Sequence, residues 1–479
     1  MTLIEQLTNS GSFRDPSGHV FEIDGQVYRT INEPARKYFE QLRDQNYLEN
    51  LVEEGWLVAT HQVDKSFLPC KFSDSTAYVV IHERIPFISY PYEWGFSALK
   101  KAALFHLDFH LKLLADGYTL TDGTAYNVQF KGTTPIFIDL LSIRPYQEGE
   151  YWLAHRQFCE SFITPLLLNT LWNIPHNSWY RGNLEGIPIE DIYKMLPKTA
   201  WFSWNLIFHI IAQARLQKKM INTGAISTDN HSICQSKATR RPMPLAAYKR
   251  MLLGMRKWVA GMQPKGSKDR SVWQNYTTEN TYDNVAEATK RTFISKFIDR
   301  EQPELVWDFG CNTGEYSELA IQRNGCRVIG FDIDQNAVNS AFLRAEEKKL
   351  PFQALYFDAA NTSPSQGWRQ AERKGLNERG KPDAILALAF IHHLAIAKNI
   401  PLDQIIHWIL DFAGTGIIEF VEKDDPTTAY MLASREDIFS EYTKEKFISI
   451  LTSRAIITDT TDIPNTKRTL YAYKVTSCQ

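Results

Sequence analysis

Apolar and polar positions change rhythm along the chain. From Trp273 onward, short apolar runs alternate with stretches of helical periodicity. The runs Leu305–Phe309, Arg327–Phe331, Phe352–Phe357, Asp383–Ala389 and Gly416–Phe420 read as strands, followed late by Ala455–Thr460 and Thr469–Val475. Strands separated by helices predict a doubly wound, mainly parallel sheet, and the last two strands can pair as an antiparallel hairpin.

The first half has a different pattern. Residues 15–31 read as two short strands joined by the hairpin signal Asp24-Gly25, and Ala77–Arg84 reads as a third. Tyr92–Leu114 has helical spacing, and short strands return at Ala125–Phe130 and Pro135–Leu140. Residues 150–265 read as mostly helical and aromatic. Within them Trp201–Ala214 reads as a buried helix, with a membrane-surface helix as the alternative. Residues 222–244 are polar and carry Gly and Pro, which predicts a long exposed loop. Residues 263–270 form a second weak spot. We therefore expect an α+β lobe over 1–92, a mostly helical lobe over 93–265, and an α/β, Rossmann-like seven-stranded domain over 266–479.

Charge narrows the function classes. With 53 basic and 55 acidic residues, the net charge of −2 leaves no excess to neutralise phosphates, so long nucleic acid is not favoured. Cys70, Cys159, Cys234, Cys311, Cys326 and Cys478 are scattered without a CxxC pair, which suggests neither a zinc site nor a disulfide framework. Free thiols, no signal-like start and no long apolar run give the expectation of a cytoplasmic protein without a transmembrane segment.

The sharpest motif is Val306-Trp-Asp-Phe-Gly-Cys-Asn-Thr-Gly314. A strand ends in Asp308, a turn holds Gly310 and Gly314, and a helix follows. Glycines admit close backbone approach to a ligand. The next strand runs into Asp332, an acid suited to a ribose diol. No P-loop Lys follows, and Asp308 would repel phosphate; a cationic ligand with an ammonium and a sulfonium fits better.

These residues resemble motif I of class I S-adenosylmethionine-dependent methyltransferases. Val328–Asp334 resembles their second strand, Tyr356-Phe-Asp-Ala359 their third motif and Pro382–Leu394 their fourth strand with the helix after it. The resemblance implies S-adenosylmethionine as cofactor. It implies that Asp308 orients the turn and reaches the methionine amine, and that Gly310, Asn312 and Gly314 pass beside the ligand. By the same likeness Asp332 holds the ribose hydroxyls, Asp358 the adenine, and Leu388 and Ala389 wall the methionine portion, with Ile333 and Ala359 also in the cofactor site. Tyr276 belongs to a preceding segment, with Tyr282 and Lys290, of the kind that folds over the cofactor, with a packing role for each as the alternative. Asp334 reads as a helix cap.

Methyl transfer is a displacement that needs alignment and, for an oxygen acceptor, proton removal. His392 and His393 follow the fourth strand and are the candidate bases, with a structural role as the alternative. Glu419, Lys423, Asp424 and Asp425 follow the fifth strand as a charged rim, where Glu419 is the candidate acceptor residue. No Asn-Pro-Pro-Tyr type motif is present, which disfavours amino methylation of DNA bases or glutamine.

The first half carries a second constellation. Asp122-Gly-Thr-Ala-Tyr-Asn127 has the D-x-x-x-x-N spacing of a kinase catalytic loop, and Phe137-Ile-Asp139 places an acid where a magnesium ligand would sit. Asp122 would be the base, with Asn127 and Asp139 on the metal and ATP as the nucleotide. No glycine-rich loop is present, Leu120-Thr121 replaces His-Arg, and Arg29 stands where Lys is expected. The first half thus resembles a divergent kinase-like fold; turn and cap roles are the alternative. Two carboxylates and an amide meeting there would either bind magnesium or be tied down by a Lys or Arg.

The layout also resembles little-characterised bacterial nodulation-type methyltransferases, on 13–21, 122–130, 137–142 and 307–314. The expectation is methyl transfer to an O or N atom of a small molecule or glycan intermediate. The alternatives are a bifunctional kinase and methyltransferase, or a methyltransferase with a pseudokinase-like binding scaffold.

Overall fold

The computed structural model describes residues 2–3, 8–222, 242–266, 284–433 and 436–476. Tyr276 and Tyr282, and nearly all of the expected loop at 222–244, lie outside the described residues.

The C-terminal half builds one seven-stranded sheet. In space its strands run Phe352–Tyr356, Arg327–Asp332, Leu305–Phe309, Ala384–Ala387, Thr415–Val421, Arg468–Val475 and Ala455–Asp462. The first five are parallel. Arg468–Val475 enters antiparallel beside Thr415–Val421 and pairs with Ala455–Asp462 as the expected hairpin. Helices cover both faces, so central strands are apolar almost throughout: Val306, Trp307, Phe309, Ile385 and Leu386 are all buried. Spatial order reverses between Leu305–Phe309 and Ala384–Ala387, both of which point their carboxyl ends at the same edge. Ligands of open α/β sheets bind at such an edge.

In the first half, an antiparallel sheet runs Val20–Ile23, Gln26–Asn32, Thr76–His82, Thr60–Val63. The turn at Asp24 and Gly25 has φ of 48° and 76°, as a tight hairpin turn with two left-handed residues requires. Thr60–Val63 is a strand the pattern did not announce, because four residues carry too little alternation. Helix Phe96–Ala115 starts later than the spacing suggested, since Pro91–Glu93 forms its own turn ahead of Gly95. Ala125–Asn127 is a tight helical turn under the Thr124 side chain, and the strand begins only at Val128.

The expected buried helix at 201–214 is buried on one face alone. Leu206, Ile210, Ile211 and Ala214 enter the core, while Trp201, Phe202, Trp204 and Phe208 are exposed. Large apolar residues lie on several sides of the run, so periodicity did not show that only one side meets the core.

The halves share one contiguous core. Phe87 packs edge-on against Trp307, and Trp94 and Phe342 both meet Phe130. Arg379 donates to both oxygens of Glu93, with both side chains buried. Gln353 Nε2 donates to Ser89 Oγ, which itself accepts from Trp94 Nε1.

Candidate functional site

Three strand ends bring three acids to the switch-point edge. Asp308 is buried at the end of Leu305–Phe309 and accepts from Ser317 Oγ at 2.6 Å. Burial pushes its carboxyl up to about 6; the Ser317 bond opposes this, and the charge of Asp332 adds to it. Gly310, Asn312 and Gly314 all have positive φ (74°, 48°, 82°), so the turn is tightly coiled; Gly310 N and Cys311 N both donate to Phe331 O, and Gly314 N donates to Cys311 O. A Cβ on Gly314 would meet the Phe352 ring at 2.4 Å, which explains a glycine there beyond conformational freedom.

Asp332 is held by backbone. Its Oδ2 accepts from Asn312 N at 2.8 Å and its Oδ1 from Asp334 N at 2.9 Å. Each oxygen retains capacity for another donor, since a carboxylate offers about four acceptor positions. Burial raises its pKa, against the lowering effect of those amides. Ile333 is exposed beside it. Asp334 caps the next helix, accepting from Asn336 N at 2.7 Å and Ala337 N at 3.3 Å.

Asp358 follows the third strand and accepts from Ala360 N at 3.0 Å; Ala359 is half-buried next to it. A cleft beside Asp358 is closed by the first half: Tyr92, Asn177 and Arg181 line it together with Tyr356. Arg181 donates to Asn361 O at 2.8 Å, and Asn177 donates to Tyr92 O and Trp94 O. Sequence reasoning missed these three residues, because only the packing of the halves brings 92, 177 and 181 beside 358.

Leu388 is buried after the fourth strand, and Ala389 follows with φ of 49°. That conformation is costly for a residue with a Cβ and marks a strained strand end at the site. His392 is buried, and neither ring nitrogen has a hydrogen-bond partner among the described residues. Burial lowers its pKa to about 3, with the charges of His393 and Arg468 adding to this, so the ring is neutral near pH 7. His393 is on the surface.

Glu419 is not on an open rim. It is fully buried and accepts from Lys290 Nζ at 2.6 Å, with Arg468 Nη1 at 3.9 Å. Lys290 also lies 4.7 Å from the Tyr316 ring centroid. Glu419 is within the strand Thr415–Val421, opposite Leu470 of the neighbouring strand, and so sits inside the sheet, where only a cation partner makes a carboxylate tolerable. Of the rim, Asp425 accepts from Arg468 Nε at 2.8 Å and caps a short helix, while Lys423 pairs with Asp437 and Asp424 with Lys467.

In the first half, Asp122, Asn127 and Asp139 do meet. The Asn127 amide nitrogen donates to Asp122 Oδ2 at 3.2 Å and to Asp139 Oδ2 at 3.3 Å. Arg29 Nη1 lies 2.5 Å from Asp139 Oδ1, with both side chains largely buried. Burial raises the Asp122 pKa and the charge of Asp139 adds to it.

The carboxylate acceptors at the sheet edge fit a cationic cofactor bearing a diol and an amine, which would donate to them. Three acids face it, and no Lys or Arg stands within the turn itself at 308–314.

Comparison with known proteins agrees. Residues 282–430 match a family described as a methyltransferase domain. The nodulation protein NoeA of Rhizobium meliloti (strain 1021) is 44% identical over 465 residues, covering 97% of this chain and 95% of that protein. Similar solved structures include the N-methyltransferase NodS of Bradyrhizobium japonicum WM9 with S-adenosyl-L-homocysteine. It is 14% identical, with a TM-score of 0.30, over 40% of this chain and 89% of that one. Magnesium protoporphyrin IX methyltransferase (ChlM) of Synechocystis PCC 6803 is 18% identical, with a TM-score of 0.31, over 43% of this chain and 93% of that one.

Proposed function

The chain is a class I S-adenosylmethionine-dependent methyltransferase of the family to which the nodulation protein NoeA belongs, and we propose that it methylates an oxygen or nitrogen of a small molecule or glycan intermediate. Bound S-adenosylmethionine supplies an activated methyl on a sulfonium. Asp308 attracts the ammonium end, Asp332 accepts from the ribose hydroxyls, and Asp358 accepts from the adenine amine. The turn through Gly310, Asn312 and Gly314 lets the backbone pass close to the cofactor, with Ile333, Ala359 and Leu388 as apolar walls. Tyr92, Asn177 and Arg181 close the adenine end.

His392 is the residue proposed to meet the acceptor. A buried neutral imidazole with unpartnered nitrogens can accept a hydrogen bond from an incoming O–H or N–H and hold it in line. His393, facing solvent, is left without that role. Glu419 holds Lys290 and Arg468 in place and does not itself grip acceptor. The observation that supports this reading best is the meeting of three acids at one sheet edge beside a turn without basic residues.

The test is transfer of labelled methyl into a cell extract, read by mass spectrometry. His392→Ala should keep S-adenosylhomocysteine affinity and lose about 10²–10⁴-fold in rate. Normal turnover in that variant would remove His392 from the mechanism.

A second reading rests on the convergence of Asp122, Asn127 and Asp139: the first half binds ATP with magnesium, as a kinase or as a pseudokinase-like scaffold. Magnesium would have to displace Arg29 from Asp139. Calorimetric titration with MgATP tests this; heat without phosphate transfer selects the scaffold, and no heat ends the reading.

A further inference from the structure

Two helices of the first half, residues 155–172 and 204–222, each widen into a π turn, over Cys159–Ile163 and Ile207–Ile211. Such turns are rare and gather at functional sites. Cys159 of the first widened stretch and His209 of the second bring their side chains to the same point. His155 and Cys159, four residues apart, share one helix face. His209 sits in the middle of the opposite π turn. His155 Nε2 lies 2.9 Å from His209 Nδ1 and 3.7 Å from Cys159 Sγ. The three donor atoms lie within 4.8 Å of one another.

Tetrahedral zinc, with bonds of about 2.0–2.1 Å to nitrogen and about 2.3 Å to sulfur, needs N···N of roughly 3.3 Å and N···S of roughly 3.6 Å. The separations of His155 Nε2 from His209 Nδ1 and from Cys159 Sγ differ from these by a few tenths of an ångström, and side-chain rotation brings the third pair, within 4.8 Å, into range. Cys159 is fully buried and His209 nearly so. Gln213 is beside the group, its Nε2 3.6 Å from Cys159 Sγ and 3.2 Å from His155 Nδ1. Trp258 stacks on the His209 ring at 5.7 Å.

A plain core explanation is a hydrogen bond between two histidines with a cysteine filling space. It accounts for one contact, and does not account for two widened helices presenting three donors to one point. We propose that His155, Cys159 and His209 form a transition-metal site of the zinc class that clips helix 155–172 to helix 204–222. Two nitrogens and one sulfur favour zinc or a similar borderline-soft ion over magnesium or calcium. Coordination forms one metal–sulfur and two metal–nitrogen bonds, and the Cys159 thiol releases its proton to solvent. Water takes the fourth position. The cysteine pattern hid this site because His-x₃-Cys with a distant His is not a CxxC framework.

The experiment uses the full chain, reduced, stripped with chelator and titrated with zinc or cobalt chloride. The expected result is one tightly held ion per chain. Bound cobalt should show a thiolate charge-transfer band, and X-ray absorption on bound zinc should show one sulfur and two imidazoles. Cys159→Ser, shown to be folded by retained S-adenosylhomocysteine binding, should lose the band. If Cys159→Ser does not fold, the absorption spectrum of the wild-type zinc protein decides alone. Absence of uptake, a zinc shell without sulfur, or a band that persists in folded Cys159→Ser would overturn the site.

Discussion

The molecule carries two acid clusters, and they are treated in opposite ways. At the sheet edge, Asp308 and Asp332 are held by Ser317 and by backbone amides of Asn312 and Asp334. In the first half, Asp139 is clamped by Arg29, and Asn127 bridges it to Asp122. Neutral donors fix a carboxylate while leaving its charge for a ligand. A guanidinium neutralises it. The same residue types are thus left without a cationic side-chain partner in one place and paired to a guanidinium in the other, and that counter-charge is the difference between them.

The largest effect that separates the two is expected at the tie. Arg29→Met should cost about 2–4 kcal/mol in urea unfolding, because an uncompensated carboxylate stays behind in a largely buried site. Magnesium should recover part of that loss if the cluster can hold a cation. A variant as stable as wild type would show that the tie contributes little, and the contrast would collapse.

At the sheet edge the expected loss is in affinity. Asp332→Ala should weaken S-adenosylhomocysteine about ten- to a hundred-fold, or roughly 1.5–3 kcal/mol, by removing a charged acceptor. Calorimetry with unchanged affinity in a folded protein would remove Asp332 from the site.

A pH titration sharpens the comparison. Asp308 has its carboxyl raised to about 6 by burial, so its charge is present above that value and lost below it. S-adenosylmethionine affinity should be level above pH 6 and fall as pH drops through it. At the steepest the fall is about tenfold per unit, or roughly 1.4 kcal/mol. Affinity independent of pH between 5 and 7 would mean that the ammonium does not depend on this carboxylate.

The smallest effect is a control. Asp334→Ala should cost about 1 kcal/mol of stability through loss of a helix cap and leave cofactor affinity unchanged. A loss of affinity would enlarge the site beyond Asp332.

The sequence by itself determined the parallel sheet, the late hairpin, the turn from Asp308 to Gly314 and the Asp334 cap. All of these follow from local rules: period-two and helical spacing, left-handed glycines and a short acid before a helix. It also brought Asp122, Asn127 and Asp139 into one frame, because five residues and one short hairpin separate them. Only the tertiary structure decided what those groups face. Glu419 reads as a rim acid until Lys290, 129 residues earlier, is found against it inside the sheet. His392 and His393 are neighbours in sequence, yet one is buried and the other exposed. His155 and His209 meet across two helices, and Tyr92 and Arg181 reach the cleft beside Asp358 from the other half. Such contacts depend on which faces are pressed together when the core closes. Burial then sets the charge of each group by removing water, and spacing along the chain carries no record of that.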